Sequence, residues 1–356
     1  GEKEFRMKVR VRIRILLLAA GAMLLLSGCG IGKKQENIDQ GMEAIAQLDY
    51  EGALACFEKA LVEGEDEELL YRGQGIACIG LSRYEDAAAA LEKALSFCNG
   101  HIGSLEFDIN YYLALAYYKN GDRDRAIQVY DAILALRKDE KTAYCLRGAL
   151  ELEKDEYDKA DADFQKAIEL DKKDYDCLLD IYISMDKNGY KEAGVEYLQK
   201  ALTEGGDGIS DYDRGRLYYF LEDYENARNC LEKARDTGTA ESVLFLGRAY
   251  EALGDFNYAS SVYAGYLEDH PDSPQVQNQL GMCKMQMGEY EAALTAFQAG
   301  LACEDTTYMQ TLKYNEIAAC EKLAQFGKAA ELMRSYLELY PDDAKAKREY
   351  EFLKTR

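Results

Sequence analysis

The side chains best equipped for metal binding or nucleophilic chemistry are ten cysteines and two histidines, and their spacing supports neither. His101 and His270 lie far apart in sequence and no Cys-x-x-Cys occurs, so a zinc site or a histidine-based acid–base pair lacks its raw material. Gly-rich phosphate loops, G-x-S-x-G and H-E-x-x-H are absent from the sequence. Carboxylates are so plentiful, 65 Asp and Glu, that pairs of them identify no acid–base site. The acidic runs Glu63–Glu68 and Asp171–Asp174 do not match a calcium-binding EF-hand loop and read as solvated loops. Catalysis, cofactors, metals and small-molecule substrates are therefore not expected.

The cysteines read instead as small buried apolar residues. A disulfide framework is the alternative, but nine cysteines follow Cys29, an odd number with no pairing rhythm.

The N-terminus invites a different chemistry. From Met7, the cationic stretch Lys8, Arg10, Arg12 and Arg14 leads into an apolar core from Ile15 to Leu26, then Ser27-Gly28-Cys29. Twelve apolar residues are too few to span a bilayer comfortably as a helix, and fit a signal peptide. Leu26-Ser27-Gly28-Cys29 resembles the bacterial lipobox. The resemblance implies cleavage after Gly28, a diacylglycerol thioether on Cys29, and an acyl anchor worth about 0.8 kcal/mol per buried CH2. The expected location is the extracytoplasmic face of the cell membrane, or the inner leaflet of the outer membrane in a two-membrane cell.

Net charge sharpens the expectation of an apolar anchor. The whole chain carries −22, and six of the 43 basic but only two of the 65 acidic residues fall in 1–28. The remainder repels phosphate and anionic lipid alike, which argues against nucleic acid as a partner.

The elements that must carry any function come from one recurring pattern. Y-E-G-A-L-A-C-F-E-K-A-L from Tyr50 returns as Y-E-D-A-A-A-A-L-E-K-A-L from Tyr84, and again from Tyr157, Tyr224 and Tyr290. A small residue marks each copy: Ala53, Ala87, Ala126, Ala160, Gly194, Ala227, Ala259, Ala293 and Ala329, spaced 32 to 39 residues apart. Twelve residues before each marker stands Gly41, Gly75, Ala114, Gly148, Tyr182, Gly215, Gly247, Gly281 or Ile317. A glycine inside a helix costs about 1 kcal/mol relative to alanine, so six of them point to a place where two helices cross too closely for a side chain. Tyr182 and Ile317 break the rule, and hairpins five and nine are expected to be distorted or out of register. Four residues after each marker a large apolar residue, such as Phe57, Leu91, Phe164 or Phe297, falls on the same helical face.

This pattern resembles the tetratricopeptide repeat family, a 34-residue helix-turn-helix. The resemblance implies an all-α fold: a right-handed superhelical solenoid of about nine hairpins plus a C-terminal capping helix. The expected organisation is a signal peptide (1–28), a lipidated N-terminus and short linker (29–33), a repeat array (34–342) and the cap (343–356), with a loop insertion at Asn99–Phe107. First helices line the concave side in this family. That placement implies a partner groove formed by Tyr111, Leu115, Tyr118, Tyr212, Arg216, Tyr219, Arg248, Asn278 and Tyr314, of which the Tyr and Arg are types enriched at binding hot spots. The carboxylate clamp of some family members is absent, with Ile38, Met42 and Gly73 at its places in the first two repeats. A membrane-anchored scaffold for a protein or peptide partner, basic or aromatic to suit the acidic body, is the expected function; a structural subunit of an envelope-assembly complex is the alternative.

Overall fold

The computed structural model describes residues 35–98, 102–235 and 238–356. The expected signal peptide (1–28), Cys29, the expected linker and His101 lie outside the described residues. Within them are nineteen α-helices and no strand.

The chain divides into two compact units at Tyr197 and Leu198. The first stacks α1 (Glu36–Ala46) and α2 (Tyr50–Glu63), α3 (Glu67–Gly80) and α4 (Tyr84–Ser96), α5 (Ser104–Lys119) and α6 (Arg123–Leu136), α7 (Lys141–Leu152) and α8 (Tyr157–Leu170), then α9 (Tyr175–Lys187) and the start of α10 (Lys191–Gly205). The second, after the end of α10, stacks α11 (Asp211–Phe220) and α12 (Tyr224–Lys233), α13 (Ala240–Ala252) and α14 (Phe256–Asp269), α15 (Pro274–Gln286) and α16 (Tyr290–Leu301), α17 (Met309–Lys322) and α18 (Phe326–Leu339), closed by α19 (Ala344–Leu353). Within each unit successive helices pack on one another, from α1 to α9 in the first and from α11 to α19 in the second, and first helices also touch first helices, as α3 does α5, α7 does α9 and α13 does α15.

The crossing rule holds at the level of atoms. Each crossing glycine faces the large apolar residue sixteen positions later: Gly41 faces Phe57, Gly148 faces Phe164 and Gly215 faces Leu231, where an added β-carbon would lie 2.6, 2.8 and 2.6 Å from the opposing side chain. The eight marker alanines and Phe57, Leu91, Phe164, Tyr263 and Phe297 are fully buried. Each such large side chain contributes about 1.5–3 kcal/mol by leaving water.

Hairpins five and nine are not out of register. Tyr182 occupies the crossing position and the glycine has moved to the second helix, where a β-carbon on Gly194 would meet Tyr182 Cδ2 at 3.0 Å. Ile317 is accommodated by Met333, in one buried cluster with Ala329, because an unbranched thioether adapts to the bulk opposite it. All nine intra-hairpin turns place one residue in the left-handed region, always five positions before the marker: Leu48, Ser82, Gly121, Asp155, Gly189, Glu222, Gly254, Gly288 and Ala324.

Two loop readings need correction. Six aspartates cap helices: Asp49, Asp66, Asp122, Asp174, Asp223 and Asp255 each accept a backbone N–H from the first turn of the helix they precede. Glu65 is not solvated; it is buried and accepts the N–H groups of Asn37 and Ile38, both at 3.0 Å, and the Asn37 amide at 2.7 Å. The insertion before repeat three is partly helical, since α5 begins at Ser104, where the Glu106 carboxylate accepts the Gly103 N–H at 2.6 Å.

Candidate partner-binding surface

In the first unit, Tyr111, Leu115 and Tyr118 project from one face of α5 at helical spacing, and all three are half-buried. Tyr111 donates its hydroxyl to Glu140 Oε1 at 3.1 Å, with its ring 6.2 Å from that of Tyr130. Burial and the adjoining Glu140 carboxylate push the Tyr111 phenol well above its usual range. Tyr118 donates to Glu153 Oε1 at 3.0 Å, and Glu153 also receives Arg123 Nε at 3.0 Å and Lys187 Nζ at 2.6 Å. Burial pushes the Glu153 carboxyl up, but the hydrogen bonds from Lys187, Arg123 and Tyr118 outweigh it and hold the group below the usual carboxylate range.

Tyr118, Glu153 and Lys187 lie near the C-terminal ends of three successive first helices. The sequence separations of the two bonds are 35 and 34, one repeat each. A similar offset recurs in Arg72 Nε to Asp108, 36 residues apart at 2.5 Å, while Tyr111 reaches Glu140, 29 residues on, just before the next first helix begins. These side chains tie hairpins two to five to one another as well as presenting a surface.

In the second unit the expected residues are more deeply placed. Arg216 is 3% exposed, pairs with Asp213, and lies 4.5 Å over the Tyr212 ring. Tyr219 meets Phe220, Tyr224 and Phe245 edge-on at 5.5–5.8 Å. Arg248 is buried and donates to Gln279 Oε1 at 3.3 Å; Gln279 donates to Glu251, which also accepts the Tyr263 hydroxyl at 2.7 Å. Asn278 is fully buried and accepts from Asn315 at 2.7 Å. Tyr314 stands edge-on to Tyr336 at 5.8 Å with Lys345 Nζ 4.6 Å from its ring. Six of the nine residues read from the sequence are therefore half-buried, while Arg216, Arg248 and Asn278 are interior.

Sequence reasoning missed Glu153 and Lys187 beside Tyr118, and the approach of Cys145 to Cys177. The signal was present as chemistry-bearing residues one repeat apart. Among the described residues no cluster of three or more His, Cys, Asp or Glu is arranged to hold a metal ion, and no helix is long and apolar enough to cross a membrane.

The family description "Tetratricopeptide repeat" matches residues 38–101, 111–175, 212–274 and 246–306, more than half of the chain. The chain is similar to a TPR repeat-containing protein, MJ1428, of Methanocaldococcus jannaschii, at 24% identity over 65% of this chain and 42% of that one. It is also similar to the CTR9 homolog of Arabidopsis thaliana, at 23% identity over 87% of this chain and 26% of that one. The chain thus spans less than half the length of these curated relatives. Among solved structures, yeast Tom70 aligns over 100% of this chain and 89% of its own, at 14% identity and a TM-score of 0.49.

Proposed function

The chain belongs to the tetratricopeptide repeat family, and from that premise we propose that it is a non-catalytic scaffold, held at the membrane by a lipid on Cys29, that docks a protein or peptide partner on its first-helix face. The observation that carries this reading is the α5 surface. There Tyr111, Leu115 and Tyr118 leave apolar surface half-open to solvent, while Glu140 and Glu153 stand at the hydroxyl ends of the two rings. Apolar surface edged with carboxylate suits a segment that carries both apolar or aromatic and basic residues. The excess of 65 acidic over 43 basic residues favours the same partner charge. The lipobox resemblance of Leu26-Ser27-Gly28-Cys29 supports the anchor and an extracytoplasmic location.

Binding of basic-aromatic and acidic-aromatic peptides of equal length to the full chain, at low and high salt, tests the docking. The basic set should bind more tightly and weaken with salt, and Leu115→Glu should weaken it further through lost apolar contact. Equal binding of both sets, or no effect of Leu115→Glu, overturns the reading. Stable co-purification with a membrane complex that ignores Leu115→Glu would assign a structural subunit instead. Cys29→Ser should move the chain out of the membrane fraction; if it stays there, the lipid anchor is wrong.

A further inference from the structure

Cys145, the fifth residue of α7, and Cys177, the third of α9, are 32 residues apart, about one repeat. Their sulfurs approach to 2.7 Å, far inside the contact distance of two unbonded sulfurs and not far beyond the roughly 2.05 Å of a disulfide. We propose that these two thiols are a modification site: they close to a disulfide that clamps hairpin four to hairpin five when the chain meets a disulfide oxidant, such as a thiol–disulfide oxidoreductase or a small-molecule disulfide.

The placement is built into the helices. Asp174 caps α9 by accepting the Cys177 N–H at 2.9 Å, and Lys141, the first residue of α7, pairs with both Asp174 and Asp171. The two helix starts are thereby held side by side with a sulfur on each. Cys145 and Cys177 also pack against one apolar cluster of Leu152, Ala160, Phe164, Ile181 and Met185. Both are half-buried rather than sealed. Other cysteines have different neighbours: Cys283 directs its thiol to the Phe256 carbonyl at 3.4 Å and Cys303 to the Ala299 carbonyl at 3.5 Å.

The chemistry balances as two exchanges. One thiol, as its thiolate, attacks the oxidant's S–S bond, forms a mixed disulfide and releases one thiol. The second cysteine sulfur attacks the mixed disulfide, forms the Cys145–Cys177 bond and releases the other thiol. The two electrons reduce the oxidant's bond, and the two cysteine protons end on the two released thiols. The hydrogen bond with Cys177 and burial both push the Cys145 thiol up, so uncatalysed attack from that sulfur is slow near neutrality. In a repeat array each hairpin is held only by its neighbours, and α7 and α9 touch directly, so the bond makes one such interface covalent.

The test uses the full chain incubated with oxidised glutathione or with dithiothreitol, alkylated, digested without reduction and read by mass spectrometry. The expected result is a peptide joining Cys145 to Cys177, abolished by reductant and exceeding every other cysteine pair. Amide exchange across α7 and α9 should slow at least roughly tenfold on oxidation, and Cys177→Ser should erase that slowing. Both thiols alkylated after oxidation, a glutathione adduct that never closes, or scrambled pairing among the other cysteines would each overturn the proposal. The decisive arm is the unmutated chain, so a variant that folds poorly does not shield the idea.

Discussion

Gly148 lies against Phe164 so closely that a β-carbon at 148 would sit 2.8 Å from Cε1 of the ring and 3.1 Å from the carbonyl oxygen of Ala160. The ring can swing, but the carbonyl belongs to α8 and cannot move without shifting that helix. Gly148→Ala is accordingly expected to destabilise by about 1–3 kcal/mol through overpacking, despite alanine's better helix propensity. Gly265→Ala, in α14 where an added methyl meets nothing within 4 Å, should be neutral or stabilising by up to about 1 kcal/mol. Urea midpoints of the two variants decide it: equal shifts would remove steric crossing as the reason for the glycine.

The left-handed turn positions give the opposite kind of substitution. Ala324 adopts φ 58° where Gly254, at the equivalent place, adopts φ 82°. A β-carbon there costs about 1–2 kcal/mol, partly offset by the smaller unfolded-state freedom of alanine. Ala324→Gly should raise stability by about 0.5–1 kcal/mol and Gly254→Ala should lower it by a similar amount, both read as shifts in the thermal midpoint.

Glu151 makes the chain sensitive to pH near neutrality. Its side chain is 7% exposed, and Oε2 has no hydrogen-bond partner. Burial, then the Asp163 carboxylate, push the carboxyl up from 4.5 to about 7, with Arg147 opposing. Between those values the folded chain keeps a proton that the unfolded chain has released, so stability falls as pH rises through the window. Glu151→Gln should flatten that slope and stabilise above pH 7 by about 1–3 kcal/mol. A pH series of denaturation midpoints that is identical in both proteins would refute this.

Two residues further on, Glu153 carries the reverse sign. Its carboxyl is held below the usual range, so its contribution is present above that range and is lost as acid protonates it. Lys187 and Arg123 are substantially solvent-exposed, which screens their pairing. Glu153→Gln should therefore cost only about 1 kcal/mol at neutral pH. The difference from the unmutated chain should vanish in acid, a convergence that paired pH titrations of stability would reveal.

The helices, their pairing and their crossings were legible because each repeat writes the same packing problem again. Ala53, Ala160 and Ala293 align by type alone, and Phe57, Phe164 and Phe297 answer them at a fixed distance. The swap at Tyr182 and Gly194 was not legible, since the spacing rule fixes where bulk must be absent but not which helix supplies the gap. Nor were the turns at Leu48, Ser82, Asp155, Glu222 and Ala324, where backbone geometry is imposed by the hairpin rather than advertised by glycine. The surface was least legible. A groove position names the face on which Arg216 or Asn278 sits, but burial depends on neighbours such as Phe245 and Asn315 that arrive from the next repeat.

The constancy of the crossings has an evolutionary reading. In six hairpins the crossing glycine and the large residue it faces stand sixteen apart, while the distance from one hairpin to the next drifts from 32 to 39. Length thus varies among these hairpins only at the joints, and a whole hairpin could be gained or dropped by recombination there without disturbing the interior of any other. A one-residue deletion between Gly148 and Phe164 would have no such refuge.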